Sequence, residues 1–160
     1  MRVTNPVRSP AAIISALTTF PDELARAIFS DHGRASLMQP ASDGGWGVVE
    51  IIPHLRDWEE IYLDRARKII AETRPHLPGF DDTLWAIERD YRGQDPKATF
   101  EAFRALRLKT VELLTSLPPE AWLRTGEHGY YGEITLAWMA DHMCGHDQEH
   151  LQQARDAIAG

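Results

Sequence analysis

Residues 142–150 read HMCGHDQEH, three histidines at steps of four. The chain carries seven histidines, and three in this spacing arise by chance in about one chain in 75 of such composition. On a helix, residues four apart project from one face at neighbouring heights, so an i, i+4 pair of imidazoles can chelate one ion. All three cannot share it. His142 and His150 would stand ~12 Å apart along the helix axis, whereas Zn–N bonds are ~2.0–2.1 Å. A pair from this segment therefore needs a third ligand from another. His54 is the best candidate, because it lies on the apolar side of a second helical segment, where a histidine has no obvious structural purpose. Taken singly, His54 reads as a hydrogen-bonded core residue and the pair as solvated side chains. Taken together on a helical bundle, they read as a site for a divalent transition metal, Zn, Ni or Fe, which imidazole suits alike. Three neutral imidazoles leave coordination positions open for water or substrate, as in a catalytic rather than a closed structural site.

Four long helical segments must position these rings. The first covers residues 10–30, with Ile13, Leu17, Leu24, Ala27 and Ile28 at helical spacing. Pro21 in its middle predicts a kink or restart. The second opens at Gly47, with Glu50 three residues on as a weakened capping box, and runs to about Glu72. Its stripe is Val48, Ile51, Ile52, Leu55, Trp58, Tyr62, Ala66 and Ile69. Pro53 predicts a bend immediately before His54. A connection follows, with a short helix over 82–91, and its length lets the second and third helices run parallel. Asp95 and Pro96 open the third helix, and Leu117-Pro118-Pro119 closes it. The fourth runs from an N-cap at Thr135 to about Ala159. Alternating strand patterns are missing. The expected fold is all-α, a four-helix bundle in one domain over residues 1–160.

Composition narrows the function. Lys plus Arg is 17 and Asp plus Glu is 24, a net charge of −7. That argues against nucleic acid as a partner, since binding it needs cationic surface. No run approaches the ~18 apolar residues of a membrane span. The first twenty residues hold only a short, interrupted apolar run, so no secretory signal is expected. A single cysteine, Cys144, forbids an internal disulfide and fits a reducing, cytoplasmic setting. The expected partner is a small-molecule substrate, with homodimerisation left open.

The chain resembles the DinB-like superfamily, also called the DinB/YfiT-like metalloenzymes. The resemblance covers almost the whole chain: WGVVE at 46–50, HLRDWE at 54–59, PHLP at 75–78, the segment around Phe103 and Arg107, WLR at 122–124, GEITL at 132–136 and HDQEHLQQ at 146–153. It implies a four-helix bundle of up-down-down-up topology, which fits the long connection between helices two and three. It also implies that one histidine from helix two and two from helix four hold the metal. On this chain those are His54, His146 and His150. His142 then falls one turn early and lines the pocket, and Gln153 matches a glutamine that often ends the motif. Gly47, where Ser or Thr is frequent, and Pro53 beside the first ligand depart from the pattern without removing a ligand. Family activities include transferases that join a low-molecular-weight thiol to an electrophile. The implied function is a metal-dependent enzyme acting on a small molecule, a thiol S-transferase with a thiol co-substrate or a hydrolase. The alternative is a non-catalytic metal-binding bundle serving as sensor, buffer or structural staple.

Other residues carry narrower expectations. Asp57, one turn after His54, is expected to accept the free N–H of a ligating imidazole. Asp147 and Glu149 are expected to be solvated helix charges. Trp58 is expected to wall the pocket. His128 is expected in an exposed loop, with a place over the pocket mouth as acid or base the functional alternative. Arg107 interrupts the stripe of Phe100, Phe103, Val111 and Leu114. A guanidinium there must be paired, and Glu59 or Asp57 is the expected partner, near the metal pocket. A substrate carboxylate is the functional alternative. Cys144 reads as a small buried residue.

Overall fold

The computed structural model describes residues 7–160; residues 1–6, at the head of the stretch expected to hold no secretory signal, lie outside the described residues. The helices are α1 (Pro10–Ile28), α2 (Asp31–Ser36), α3 (Val48–Ala71), α4 (Trp85–Glu88), α5 (Pro96–Thr115) and α6 (Leu136–Ala159), with strands β1 (His76–Leu77), β2 (Thr125–His128) and β3 (Gly132–Thr135).

Side-chain caps open three of the four long helices. The side chains of Ser9, Asp95 and Thr135 accept from the amides of Ala12, Ala98 and Trp138, satisfying donors that have no partner within the helix. At α3 only half a capping box exists: Glu50 Oε1 accepts from Gly47 N at 3.3 Å, and glycine has no side chain to return the bond. Neither internal proline ends its helix. α1 passes Pro21 without a restart, and α3 passes Pro53. Each forfeits one intrahelical bond, and both prolines are buried against the bundle. The first segment does end early, at Ile28, and the chain turns into α2. Gly33 permits that turn, because a Cβ there would lie 2.3 Å from the Ala27 carbonyl oxygen.

The apolar layers reveal the helix directions. One layer joins Phe20 and Leu24 late in α1, Val48 to Leu55 early in α3, Phe100 and Phe103 early in α5, and Leu151 and Ala154 late in α6. The other joins Ile13 and Leu17 early in α1, Tyr62 to Ile69 late in α3, Leu114 late in α5, and Leu136 to Cys144 early in α6. α3 and α5 therefore run parallel to each other and antiparallel to α1 and α6. This is an up-down-down-up four-helix bundle.

Between the two layers lies a buried ionic one. Arg107 from α5, Glu59 from α3 and Asp147 from α6 are each 2% exposed. Arg107 Nε and Nη2 reach both Glu59 oxygens at 2.9 Å. Its Nη1 and Nη2 reach both Asp147 oxygens at 2.9 and 2.8 Å, and Nη1 also meets the Leu17 carbonyl of α1 at 3.0 Å. All five guanidinium N–H donors are thus used. Four helices are pinned at one level, which sets the register of α3 against α6.

A three-stranded sheet, ordered β1-β2-β3, caps one end of the bundle and departs from the expectation of helices alone. Its strands are two to four residues long and show no apolar alternation. Packing supplies what the pattern lacks: Gly126 lets β2 close onto Leu77 and Ile69, where a Cβ would stand 2.7 Å from Leu77 Cδ1. Glu127 and Glu133 face each other directly across β2 and β3. Arg74 bridges both carboxylates, at 2.7 and 3.0 Å, which offsets the like-charge contact.

Candidate metal centre

The face of α3 that turns toward α6 carries His54, Trp58, Tyr62 and Arg65, at steps of four, four and three. Across from it, one turn of α6 presents His146 and His150. The three imidazoles meet: His54 Nε2 lies 3.3 Å from His146 Nε2, which lies 3.1 Å from His150 Nε2. One nitrogen from each of the three falls within 4.8 Å of the others. Tetrahedral coordination with ~2.0–2.1 Å bonds sets neighbouring ligand nitrogens ~3.3 Å apart, so the spacing fits one ion.

Protonation fits as well. His150 Nδ1 lies 2.8 Å from Gln153 Oε1, an oxygen that can only accept, so the proton sits on Nδ1 and Nε2 keeps its lone pair. A proton on His146 Nε2 would serve one of its two nitrogen neighbours and leave the other facing a lone pair. A cation serves all three. Burial, reinforced by the neighbouring imidazoles, pushes His54 down to about 4 and His146 down to about 2, and burial lowers His150 too. The rings are held neutral, the form that ligates. His54 Nδ1 is buried without a hydrogen-bond partner. The carboxylate beside it is Asp82, 3.9 Å away, and Asp82 also accepts from Trp58 Nε1 at 2.9 Å.

The cluster opens into a cavity of about 440 Å³. Trp46, Trp58, Phe80 and Trp138 give it aromatic walls, and the β2–β3 hairpin closes one side with His128, Tyr130 and Tyr131. His142 lines it one turn before His146, stacked on Trp138 at 5.0 Å.

Several expected roles shift. Asp57 does not back a histidine. Its carboxylate accepts from Tyr91, Arg89 and Arg56 at 2.7–3.1 Å and ties α3 to the connection that follows it. Asp82 from that connection stands nearest His54 instead. Arg107 does not line the cavity, and with every N–H engaged it has no donor for a substrate carboxylate. Its partners are Glu59, as expected, and Asp147, which is a buried ion-pair member and not a solvated charge; Glu149 is exposed at the cavity rim. Burial lifts Asp147 to about 6 against the pull of Arg107, while the two carboxylates hold Arg107 firmly protonated. His128 is not an exposed loop residue: it ends β2, is 8% exposed and lines the cavity. Cys144 is buried near the Ile13 carbonyl, and burial pushes its thiol up to about 11, away from the reactive thiolate. Arg65 escaped the sequence reading, although its step of eleven from His54 puts it on the same helical face.

Residues 7–154 match the DinB superfamily. The chain belongs to that family. YfiT of Bacillus subtilis, whose name describes a candidate metal-dependent hydrolase, is 26% identical over 146 residues, which is 85% of this chain and 80% of YfiT. A relative from Oceanobacillus iheyensis with the same description is 20% identical over 146 residues, covering 91% of this chain and 83% of its own. The solved structure of YfiT, described as a four-helix bundle of unusual topology, superposes with a TM-score of 0.83 at 22% identity. It covers 98% of this DinB-superfamily chain and 92% of YfiT. No described helix is long and apolar enough to cross a membrane.

Proposed function

We propose that this DinB-superfamily protein is a metal-dependent hydrolase of a small molecule, with His54, His146 and His150 as the ligands. The observation that carries the reading is the meeting of three neutral imidazole nitrogens at 3.1–3.3 Å on the wall of an aromatic-lined pocket. A divalent ion bound there would act as a Lewis acid and acidify water or a thiol at neutral pH. The chain does the positioning. Gln153 fixes the His150 tautomer, α3 and the ionic layer hold His54 against α6, and the aromatic walls offer an apolar surface to a substrate. Closed structural sites draw four protein ligands. Among the described residues the cluster offers three, which favours an open, reactive position over a staple. The acidic surface and the single buried thiol support a cytoplasmic setting without nucleic-acid partners.

The test is turnover of a panel of small esters, amides and alkyl halides by tag-free protein loaded with Zn, Ni or Fe, with and without a low-molecular-weight thiol. Turnover in water alone, lost in His146→Ala, is the expected result. Turnover that requires the thiol would assign the S-transferase chemistry to the same residues in place of hydrolysis.

A further inference from the structure

Two buried arginines in this bundle have opposite circumstances. Arg107 spends every N–H on two carboxylates and a carbonyl. Arg65 is 5% exposed, donates one bond to the Pro78 carbonyl at 2.8 Å, and has a buried Nε with no partner at all. No ion pair among the described residues includes it. Its guanidinium lies over Trp58 at 5.6 Å and Phe80 at 5.7 Å, at the cavity wall. These ring faces offset part of the cost of burying the charge. They do not supply the planar acceptor pair that a guanidinium fork matches.

His128 stands on the same cavity. Its Nδ1 accepts from the backbone amides of Tyr130 at 3.0 Å and Tyr131 at 3.3 Å, so its lone pair is used and its proton is on Nε2. Burial and the nearby Arg65 charge push it down to about 4, which keeps the ring neutral. It offers the cavity one N–H donor and no acceptor.

We propose that Arg65 and His128 form a carboxylate-binding subsite, so that the substrate carries a carboxylate about one aromatic ring away from its reacting bond. The spacing comes from Trp58, whose ring centroid lies 5.6 Å from the Arg65 guanidinium carbon and 6.5 and 6.3 Å from the rings of His54 and His146. One guanidinium and one neutral donor match a single negative charge better than a phosphate dianion. The reacting end of this assignment rests on the metal-dependent reading; the anion subsite does not.

The experiment uses the full chain, stripped of metal with a chelator, and follows quenching of its pocket tryptophans by phenylacetate and by phenylacetamide, which has the same shape without the charge. Phenylacetate is expected to bind at least ~10-fold more tightly than the amide. Arg65→Met should weaken phenylacetate binding by ~10–100-fold and leave the amide unchanged, while Arg65→Lys retains part of the preference. Arg65→Met should also fold as stably as wild type, since it removes an unpaired buried cation. Equal binding of acid and amide to the wild-type chain, a comparison that needs no variant, overturns the proposal. So does a preference that survives in folded Arg65→Met, or inorganic phosphate displacing phenylacetate at lower concentration than phenylacetate itself requires. Failure of the metal reading would show separately, as absence of bound metal with anion binding intact.

Discussion

Replacing Arg107 with Met tests the ionic layer that holds the histidine-bearing helices in register. Methionine fills much of the same volume but donates nothing. Glu59 and Asp147, each 2% exposed, would face each other with no cation between them. Removing one partner of a buried pair costs about 3–5 kcal/mol, and here two carboxylates lose the same partner, so the upper end is expected. A domain of this size has about 5–15 kcal/mol in all. The loss must also depend on pH. The Asp147 carboxyl stands at about 6 even with Arg107 present, above its unfolded value near 4, and losing that cation raises it further. The unfolded chain then holds fewer protons than the folded one above pH ~4, so the penalty grows as pH rises through the folded pKa of Asp147. Urea unfolding at pH 5 and pH 7.5 should show a clearly larger deficit at pH 7.5. Adding Glu59→Gln and Asp147→Asn should recover part of it, because amides need no counter-ion. A deficit below about 1 kcal/mol, equal at both pH values, would refute the reasoning.

Two further outcomes follow from the histidines and their supports. His54 and His146 are held near 4 and 2 when folded, against 6.5 unfolded, so below pH ~6.5 the unfolded state binds more protons. Stability of the metal-free protein should fall as pH drops from 6.5 toward 4, by about 1.4 kcal/mol per pH unit for each ring; chelator-treated samples in urea should show a shallower slope for His146→Asn than for wild type, and equal slopes would contradict the assignment. Gln153→Ala should weaken metal binding by ~10–100-fold while leaving the fold intact, because the His150 proton loses its acceptor; competition against a chromophoric chelator reads this directly.

Much of this was legible in the residues. Asp95-Pro96 and Thr135 marked helix starts because capping is local chemistry. Arg107 announced a buried partner by standing on an apolar stripe, and of the two carboxylates expected from the second helix, Glu59 and Asp57, it is Glu59 that answers. His54, His146 and His150 were singled out by helical spacing together with the family resemblance. What escaped depends on the path of the connections. Asp57 and Asp82 are equally plausible neighbours of His54 until residues 72–95 are folded, and that segment delivers Asp82 to the histidine and Tyr91 to Asp57. Asp147 sits between two histidines in sequence, yet it turns toward α5. Helical periodicity gives the angle but not which helix lies there. The sheet escaped because its strands are too short for a period of two, and with it the burial of His128.

Metal content is the most direct measure of the central claim. Tag-free protein, purified and reconstituted with Zn, Ni or Fe, should retain about one equivalent per chain. His54→Ala, His146→Ala and His150→Ala should each abolish tight binding, while His142→Ala keeps it. Less than ~0.1 equivalent in the wild-type chain, or the same loss in His142→Ala as in His146→Ala, would contradict the account.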